Sequence, residues 1–244
     1  MNYYFLLEDE KSFIKVLPKW LEHMGFECTR VADITEVTSN SYVMQSGQGV
    51  TQLITKVLYQ TLDTILNSSA VIDTLVVIVD AEELEVETRR QEIYDKIVEY
   101  QQKNPSVEID FEIKVIVCNH CFESWLLGNE DIYPEKKPDK DSAFYPYYMH
   151  YNIKMNDPEH MSVPEGVGGT IARYHFHYLH DAFLYNKIRY NKKKPDYVAN
   201  EDYFLQLVSR MNKTVHIRSF KELWEYIQLQ KLRMKENEEI SERG

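Results

Sequence analysis

The sequence predicts an α/β protein with a mostly parallel β-sheet flanked by helices. Segments 3–7 and 75–79 are continuous runs of aliphatic and aromatic residues, and 111–117 is a third apolar-rich segment. Such runs are typical of strands covered on both faces, whereas half-exposed strands alternate apolar and polar residues. Segments with helical spacing of apolar residues separate these runs. The resulting β-α-β order favours parallel strands joined by crossover helices.

The remaining elements follow from helical periodicity and from residues that end helices. Apolar residues recur every three or four positions over 11–24, where Pro18 predicts a kink and Gly25 ends the helix. Residues 39–50 are polar, and the glycines before the next helix either let backbone amides approach a phosphate or form a flexible turn. The other predicted elements are strands over 26–32 and 214–217 and helices over 50–66, 85–102 (buried stripe Ile93, Ile97 and Val98), 203–211 and 220–232.

We predict one domain over residues 1–232, followed by a charged tail over 233–244 that frays. Residues 1–128 and 196–232 form the core of this domain. Residues 129–195 form an aromatic-rich insert of short helices and loops, because prolines interrupt this segment and aromatic clusters alternate with charged runs. A chain of 244 residues is long enough to bury a sizeable core.

Composition and charge restrict the class of protein. The formal net charge of −11 argues against a chain that coats nucleic acid over its whole surface, so any polyanion must meet a local basic patch. Three cysteines do not suggest a disulfide framework. The N-terminal segment lacks the basic region of a signal peptide, and no stretch approaches the roughly 20 apolar residues of a membrane span. We therefore expect a cytoplasmic protein without a membrane partner.

Acidic side chains follow three of the predicted strands: Glu8, then Asp80 with Glu82, then Glu123. The carboxyl ends of parallel strands lie at one edge of the sheet, where functional groups of open α/β sheets collect. If the backbone stays extended after the second strand, Asp80 and Glu82 share a face. Carboxylates this close raise one another's pKa, and a hard divalent ion such as Mg²⁺ or Mn²⁺ relieves the repulsion. The alternative is that Asp80 caps the next helix and that Glu123 only favours the N-terminus of its own.

The densest basic stretch of the chain lies near the end of the predicted insert. It contains Lys187, Arg189, Lys192, Lys193 and Lys194. Such a stretch is usually a solvated face, but in an acidic protein it is also the best electrostatic seat for phosphates. We predict phosphate binding by Lys187, Arg189, Lys192 and Lys193.

Two further groups are weaker candidates. Glu10 is a reserve metal ligand after the first strand, and His120 precedes Glu123 at the same strand exit. In a second group, the spacing of His177 from His180 and from Asp181 places either pair on one helical face, where they either bind zinc, act as acid and base, or serve as structural histidines. Its members are His175, His177, His180 and Asp181.

Three segments resemble the TOPRIM (topoisomerase-primase) domain. Leu6-Leu7-Glu8-Asp9-Glu10 is similar to the Val-Glu-Gly entry of the family, with Asp9 in the place of Gly. Val79-Asp80-Ala81-Glu82 resembles its Asp-x-Asp, with Glu82 in the place of the second Asp. Segment 119–127 resembles the Phe-Glu-x-Trp-Leu-Leu segment of RloB-like proteins and of overcoming-lysogenization-defect nucleases. The resemblance covers residues 1 to about 128 and, loosely, 196–232, where segment 217–223 is similar to the last helix of the family.

This resemblance implies a TOPRIM-like fold and magnesium-dependent cleavage of DNA or tRNA. Glu8, Asp80 and Glu82 would bind a first metal ion, and Glu123 would bind a second ion or the attacking water. The resemblance also implies an antiphage effector that works with an ATPase partner, and it leaves a homo-oligomer open. One rival is a non-catalytic sensor or scaffold that binds an ATPase or a phage protein through its tyrosine-rich insert. Another rival is a nucleotide-processing enzyme with the same metal site.

Overall fold

Five parallel strands form the central sheet of the computed structural model, which describes residues 1–9 and 11–243. Their order across the sheet is β2-β3-β1-β4-β5, and every pairing is parallel. The predicted α/β class with a parallel sheet flanked by helices is therefore confirmed. The strands are β1 (Tyr3–Leu7), β2 (Thr29–Arg30), β3 (Ser41–Ser46), β4 (Thr74–Asp80) and β5 (Glu112–Cys118).

Helices cover both faces of this sheet. The α-helices of the described residues are α1 (Phe13–His23), α2 (Val50–Gln52), α3 (Leu58–Leu66), α4 (Val86–Lys103), α5 (Phe122–Leu126), α6 (Tyr145–His150), α7 (Ile171–Tyr185), α8 (Asp196–Ala199), α9 (Glu201–Lys213) and α10 (Arg218–Arg243). A π-helical turn, Leu53–Val57, joins α2 to α3. On one face the strands pack against α2, α3 and α4, and on the other against α1 and the helices from α5 onward.

The connections that leave β1 and β4 run in opposite directions across the sheet. From β1 the chain passes through α1 to the β2 edge, whereas from β4 it passes through α4 to the β5 edge. Since β1 and β4 are neighbours, their carboxyl ends form a topological switch point. Ligands of open α/β sheets bind at such points.

The structure places β3 in a segment that we predicted to be polar and without a strand. β3 pairs with β1 from Tyr42 opposite Tyr3 to Ser46 opposite Leu7. The prediction is wrong because two of its apolar side chains, Tyr42 and Met44, pack on one face of the sheet and Val43 on the other, while the backbone supplies the pairing. The strand predicted over 26–32 shortens to β2. Residues 214–217 are not a strand but the connection from α9 to α10.

Two helical details also differ from the prediction. Ile93 and Ile97 of α4 are buried as predicted, but Val98 is 49% exposed and Tyr100 takes the third buried position. The last helix does not end near residue 232 but continues as α10 to Arg243. Its charged residues are good helix formers, and Met234 of this segment still packs into the core.

The aromatic-rich segment 129–195 packs on the same core as the sheet. Its longest helix, α7, contributes Tyr178 and Phe183 to the hydrophobic cluster that also contains Trp20 and Trp125. Phe144 joins this cluster, with its ring 5.3 Å from that of Tyr178 in an edge-to-face contact. This packing holds the chain that follows α7 beside α1 and the carboxyl edge of the sheet.

Candidate functional site

A cavity of about 400 Å³ opens at the carboxyl edge of the sheet, at the switch point. Glu8, Asp80 and Glu123 line it together with Lys192. These acids come from the exit of β1, the last residue of β4 and the first turn of α5. The structure thus brings three of the four predicted acidic residues to one cavity. Its other lining residues are Asp9, Lys11, Ser12, Gln48, Gly49 and Phe122.

A backbone N–H group holds the carboxylate of Glu8. The N–H of Asp80 donates to Glu8 Oε2 at 2.7 Å, and the nearby backbone of Val50 at the start of α2 also favours the charged carboxylate. Burial nevertheless raises the pKa of Glu8 to about 7, and the negative charge of Glu82 contributes to the rise. Glu8 therefore exchanges a proton near neutral pH unless a cation joins it.

Groups on the β5 side favour the charged carboxylate of Asp80. Asp80 pairs in register with Cys118, and the nearby Cys118 thiol and Phe122 backbone both act to lower the pKa of Asp80. Burial raises the pKa of Asp80 well above its ordinary value, and the charges of Glu8 and Glu123 raise it further. The N-cap of α4 is Glu85, so Asp80 is not the cap that our alternative interpretation made it.

Glu123 already has a cationic partner. It is 4% exposed, and its Oε1 lies 2.5 Å from Nζ of Lys192. Burial alone would lower the pKa of Lys192, but the neighbouring Glu123 carboxylate raises it, so this ammonium group stays charged. The same ammonium group lies 4.8 Å from the ring centroid of Phe176. By contrast, Glu8 and Asp80 form no ion pair with a lysine or arginine of the described residues.

Asp9 has a structural role that we did not predict. Its carboxylate accepts hydrogen bonds from the backbone N–H groups of Lys11, Ser12 and Phe13 at 2.6 to 2.8 Å and from the Ser12 hydroxyl. Burial would raise the pKa of Asp9, but these hydrogen bonds outweigh it and hold the pKa below its ordinary value. Asp9 is therefore a charged N-terminal cap of α1, although its neighbour Glu8 has a raised pKa.

Glu82 does not share the geometry of Asp80. Its φ is +53°, so the extended backbone that we assumed after β4 is wrong. The Glu82 side chain is 46% exposed, and its Oε2 lies 3.7 Å from Nη2 of Arg89. The same nitrogen lies 3.4 Å from the carbonyl oxygen of Ala81, so the buried Arg89 holds the turn behind the cavity. Binding of a metal ion by Glu82 stays a prediction.

The glycine-containing loop after β3 forms one wall of the cavity. The N–H of Gly47 donates to the Leu7 carbonyl at 2.5 Å, and that of Gly49 donates to the Glu8 carbonyl at 2.9 Å. A Cβ on residue 47 would lie 2.7 Å from the side chain of Leu53, so a larger residue there collides with the π-helical turn. These contacts fix the start of α2 against Glu8.

The predicted phosphate-binding residues lie on one arm, residues 187–194, which we call the basic arm. Lys192 alone of the four predicted residues lines the cavity. Lys187, Arg189 and Lys193 are exposed beside it. The arm also carries Tyr190, whose buried hydroxyl has no hydrogen-bond partner among the described residues. Burial raises the pKa of Tyr190, and the nearby charge of Glu123 adds to the rise.

The histidine group of α7 is not brought together. His175 is buried and bonds to the Ser124 hydroxyl and the Met161 carbonyl, both at 2.9 Å. Burial lowers the pKa of His175 to about 4, so its ring is neutral and structural. His177 lies near Arg173, and His180 contacts the adjacent Asp181 at 2.9 Å. Of the interpretations left open for this group, the structural one fits His175.

The two auxiliary candidates of the sequence analysis are His120 and Glu10. The Nδ1–H group of His120 donates to the Glu82 carbonyl at 3.2 Å, and the His120 ring lies edge-to-face with that of His175 at 5.5 Å. It does not line the cavity. Glu10 lies outside the described residues, so its auxiliary role stays a prediction.

The donor groups of the cavity fit Mg²⁺ or Mn²⁺. Glu8 and Asp80 present hard carboxylate oxygens, and Mg²⁺ in proteins takes one or two carboxylates and keeps several waters. Burial raises the pKa of the Cys118 thiol, which lies beside Asp80, well above its ordinary value. Within residues 1–9 and 11–243, no three histidine, cysteine or acidic side chains already form a ligand set for one ion.

Fold and cavity together define an α/β protein with an acidic cavity at the carboxyl edge of a parallel sheet. No model of a known protein family matches the chain, and neither a curated protein nor a solved structure is significantly similar to it. The resemblance to TOPRIM therefore stays a prediction. In the described part of the chain, every helix is too short or too polar to cross a membrane.

Proposed function

We propose that this chain is a metal-dependent nuclease in which Glu8 and Asp80 bind Mg²⁺ or Mn²⁺. One observation carries the proposal: Glu8, Asp80 and Glu123 line one cavity at the switch point of a parallel sheet. The raised pKa values of Glu8 and Asp80 support it, because two close, buried carboxylates ionise together only when a cation joins them. A divalent ion supplies that cation.

The residues of the chain have separate tasks in this proposal. The backbone N–H of Asp80 holds the Glu8 carboxylate in place before any ligand arrives. A bound ion would polarise a phosphodiester and lower the pKa of an attacking water. Glu123 orients that water, while Lys192 moves from Glu123 to the phosphate. The Lys192 side chain is 38% exposed, which leaves it room to move.

The wider setting is proposed on the TOPRIM resemblance alone. We propose DNA or tRNA as the substrate and an antiphage effector role in the cytoplasm, with an ATPase as partner. The proposed chemistry of the cavity is separate from the effector role and from the ATPase partner.

A second candidate is a non-catalytic scaffold that keeps this fold and binds a partner protein. The observation that favours it is the ion pair between Glu123 and Lys192, because one acid of the cavity is already neutralised by the protein itself. A scaffold binds its partner equally well in a chelator, whereas the nuclease requires a divalent ion for turnover.

Substitution of the two proposed ligands tests the nuclease. Glu8→Gln or Asp80→Asn is expected to lower Mg²⁺- or Mn²⁺-dependent cleavage of DNA and tRNA by about 10²- to 10³-fold, since each removes a charge placed for the reaction. Thermal stability of the metal-free variants should not fall, because the raised pKa values show that the charged forms are disfavoured. Glu108→Gln, at an exposed acid outside the cavity, is the matched control.

Full cleavage in either ligand variant would contradict the proposal. A wild-type protein that cleaves neither polymer with either metal ion, but binds a partner protein in chelator, would favour the scaffold.

A further inference from the structure

Two segments distant in sequence carry cations without an intervening acid. Residues 11–19 contain three lysines, and the basic arm contains four lysines and one arginine. Neither segment contains aspartate or glutamate. Eight cations therefore lie in two short segments of a chain whose formal net charge is −11.

The first segment presents its lysines to solvent. Lys11, Lys15 and Lys19 are exposed. Lys15 and Lys19, four residues apart, share one face of α1, and Lys11 lies just before the helix. The opposite face of α1 buries Val16, Leu17 and other apolar residues in the core. Amphipathic packing of α1 thus fixes the direction of its basic face.

The two segments meet beside the acidic cavity. Nζ of Lys15 donates to the Lys193 carbonyl at 2.8 Å, which joins α1 to the basic arm. Lys11 and Lys192, one from each segment, both line the cavity. The basic surface is therefore continuous from the face of α1, across the arm, to the mouth of the cavity.

Most cations of this surface are not neutralised by the protein. Lys19 pairs with Glu22, and Lys192 pairs with Glu123. Five other cations of this surface form no ion pair with an acid of the described residues. They are Lys15, Lys187, Arg189, Lys193 and Lys194.

We propose that α1 and the basic arm form a track along which the phosphodiester backbone of a nucleic acid lies as it enters the acidic cavity. This inference rests on the proposed nuclease function and adds the binding surface of its substrate. A linear polyanion matches a row of cations, and the displaced counterions favour the complex. The same local charge explains how a protein with net negative charge holds a polyanion.

Salt dependence of binding tests the track. The affinity for labelled DNA and RNA oligonucleotides of about 30 nucleotides is measured by fluorescence anisotropy in EDTA, between about 50 and 300 mM salt. Single-stranded and duplex forms of each are used. The double variant Lys15→Gln/Lys187→Gln is expected to bind about 10-fold or more weakly at low salt, and its slope of log affinity against log salt should fall by about 1 to 2. The comparison of single strand with duplex identifies the form that uses the track.

The matched control is Lys56→Gln/Lys213→Gln. Both lysines are exposed, and neither lies on α1 or the basic arm. The control is expected to keep the wild-type affinity and slope, and thermal melts should show both double variants folded. Equal affinity and slope in the wild type and the track variant would overturn the proposal. Loss of vesicle binding by the track variant, where the wild type binds phosphatidylserine vesicles but no oligonucleotide, would overturn it as well.

The experiment separates the track from the nuclease. Binding in EDTA measures the track without the proposed metal ions, whereas cleavage requires them. Cleavage without a contribution of the track to binding refutes the track alone. Binding through the track without metal-dependent cleavage refutes the nuclease alone.

Discussion

Oε2 of Glu8 accepts a hydrogen bond from the backbone N–H of Asp80 at 2.7 Å, across 72 residues of sequence. The end of β4 thus positions the carboxylate that follows β1. Because Asp80 also carries its own carboxylate into the cavity, a shift of either strand end would move both proposed ligands.

Binding of Mg²⁺ or Mn²⁺ is expected to raise the Tm of the wild-type protein. An ion that binds only the folded state stabilises it by mass action, by about 2.7 kcal/mol at one hundred times its Kd. Differential scanning fluorimetry with and without EDTA measures the shift. It should vanish in Glu8→Gln and in Asp80→Asn but persist in Glu108→Gln. A shift of the same size in all four proteins would place the ion elsewhere.

Removal of Lys192 is expected to destabilise the protein through Glu123. Lys192→Met leaves the carboxylate of Glu123, whose side chain is 5% exposed, without a cation. We expect the free energy of unfolding to fall by about 1 to 3 kcal/mol, a range that already allows for the partial exposure of Lys192. The double variant Lys192→Met/Glu123→Gln should lose less than the sum of the single changes, with a coupling of about 1 kcal/mol or more. Urea denaturation measures each free energy of unfolding.

The exposed pair Lys19 and Glu22 is the control for this cycle, since both side chains are more than half exposed. Its coupling is expected to stay below about 0.5 kcal/mol. Additive losses at Lys192 and Glu123 would show that their ion pair contributes nothing.

Glu159 gives a pH dependence that is independent of the cavity. This buried carboxyl accepts hydrogen bonds from the N–H and the hydroxyl of Ser219 at the start of α10, yet burial raises its pKa to about 7. Between pH 4.5 and 7 the folded state holds the proton that the unfolded state has released, so the contribution of Glu159 to stability falls as pH rises and is constant above pH 7.

Glu159→Gln should remove this contribution, because glutamine keeps an acceptor for Ser219 but does not ionise. The difference in unfolding free energy between variant and wild type is expected to shift by roughly 3 kcal/mol in favour of the variant from pH 4.5 to 7. Urea titrations at four pH values measure it. Parallel pH profiles of the two proteins would refute the assignment.

Gly47 is expected to tolerate no side chain. In Gly47→Ala the new Cβ would lie 2.7 Å from the Leu53 side chain, so we expect the free energy of unfolding to fall by about 1 to 3 kcal/mol. Metal ions should also bind more weakly, since the same loop positions the start of α2 beside Glu8. Gly168→Ala is the control, because a Cβ there has open space. Its effect should remain within about 0.5 kcal/mol. Equal stability of the two variants would contradict the close approach at Gly47.

Buried strands and the acids at their ends could be predicted because both depend on local sequence. The apolar runs of β1 and β4 fix two central strands, and a parallel sheet necessarily brings Glu8 and Asp80 to one edge. β3 escaped prediction because its central position follows from pairing with β1, a contact between residues about 39 apart that local composition does not encode.

The finer roles of the acids depend on tertiary contacts. Asp9 could have been assigned as a cap, since Ser12 and the start of a helix follow it. The left-handed turn at Glu82 and the pairing of Glu123 with Lys192 had no signal in the sequence. Glu123 and Lys192 are 69 residues apart, and only the packing of α7 on the core brings the basic arm to α5.

The position of β1 between β3 and β4 has a consequence for synthesis of the protein. β1 leaves the ribosome before either of its neighbours, and the second of them is complete only at residue 80. Until then the strand Tyr3–Leu7, apolar on both faces, exposes two unpaired edges, which are templates for association with other chains. Nascent chains arrested before residue 74 are therefore expected to engage chaperones or aggregate, whereas chains arrested well beyond β5 should resist proteolysis.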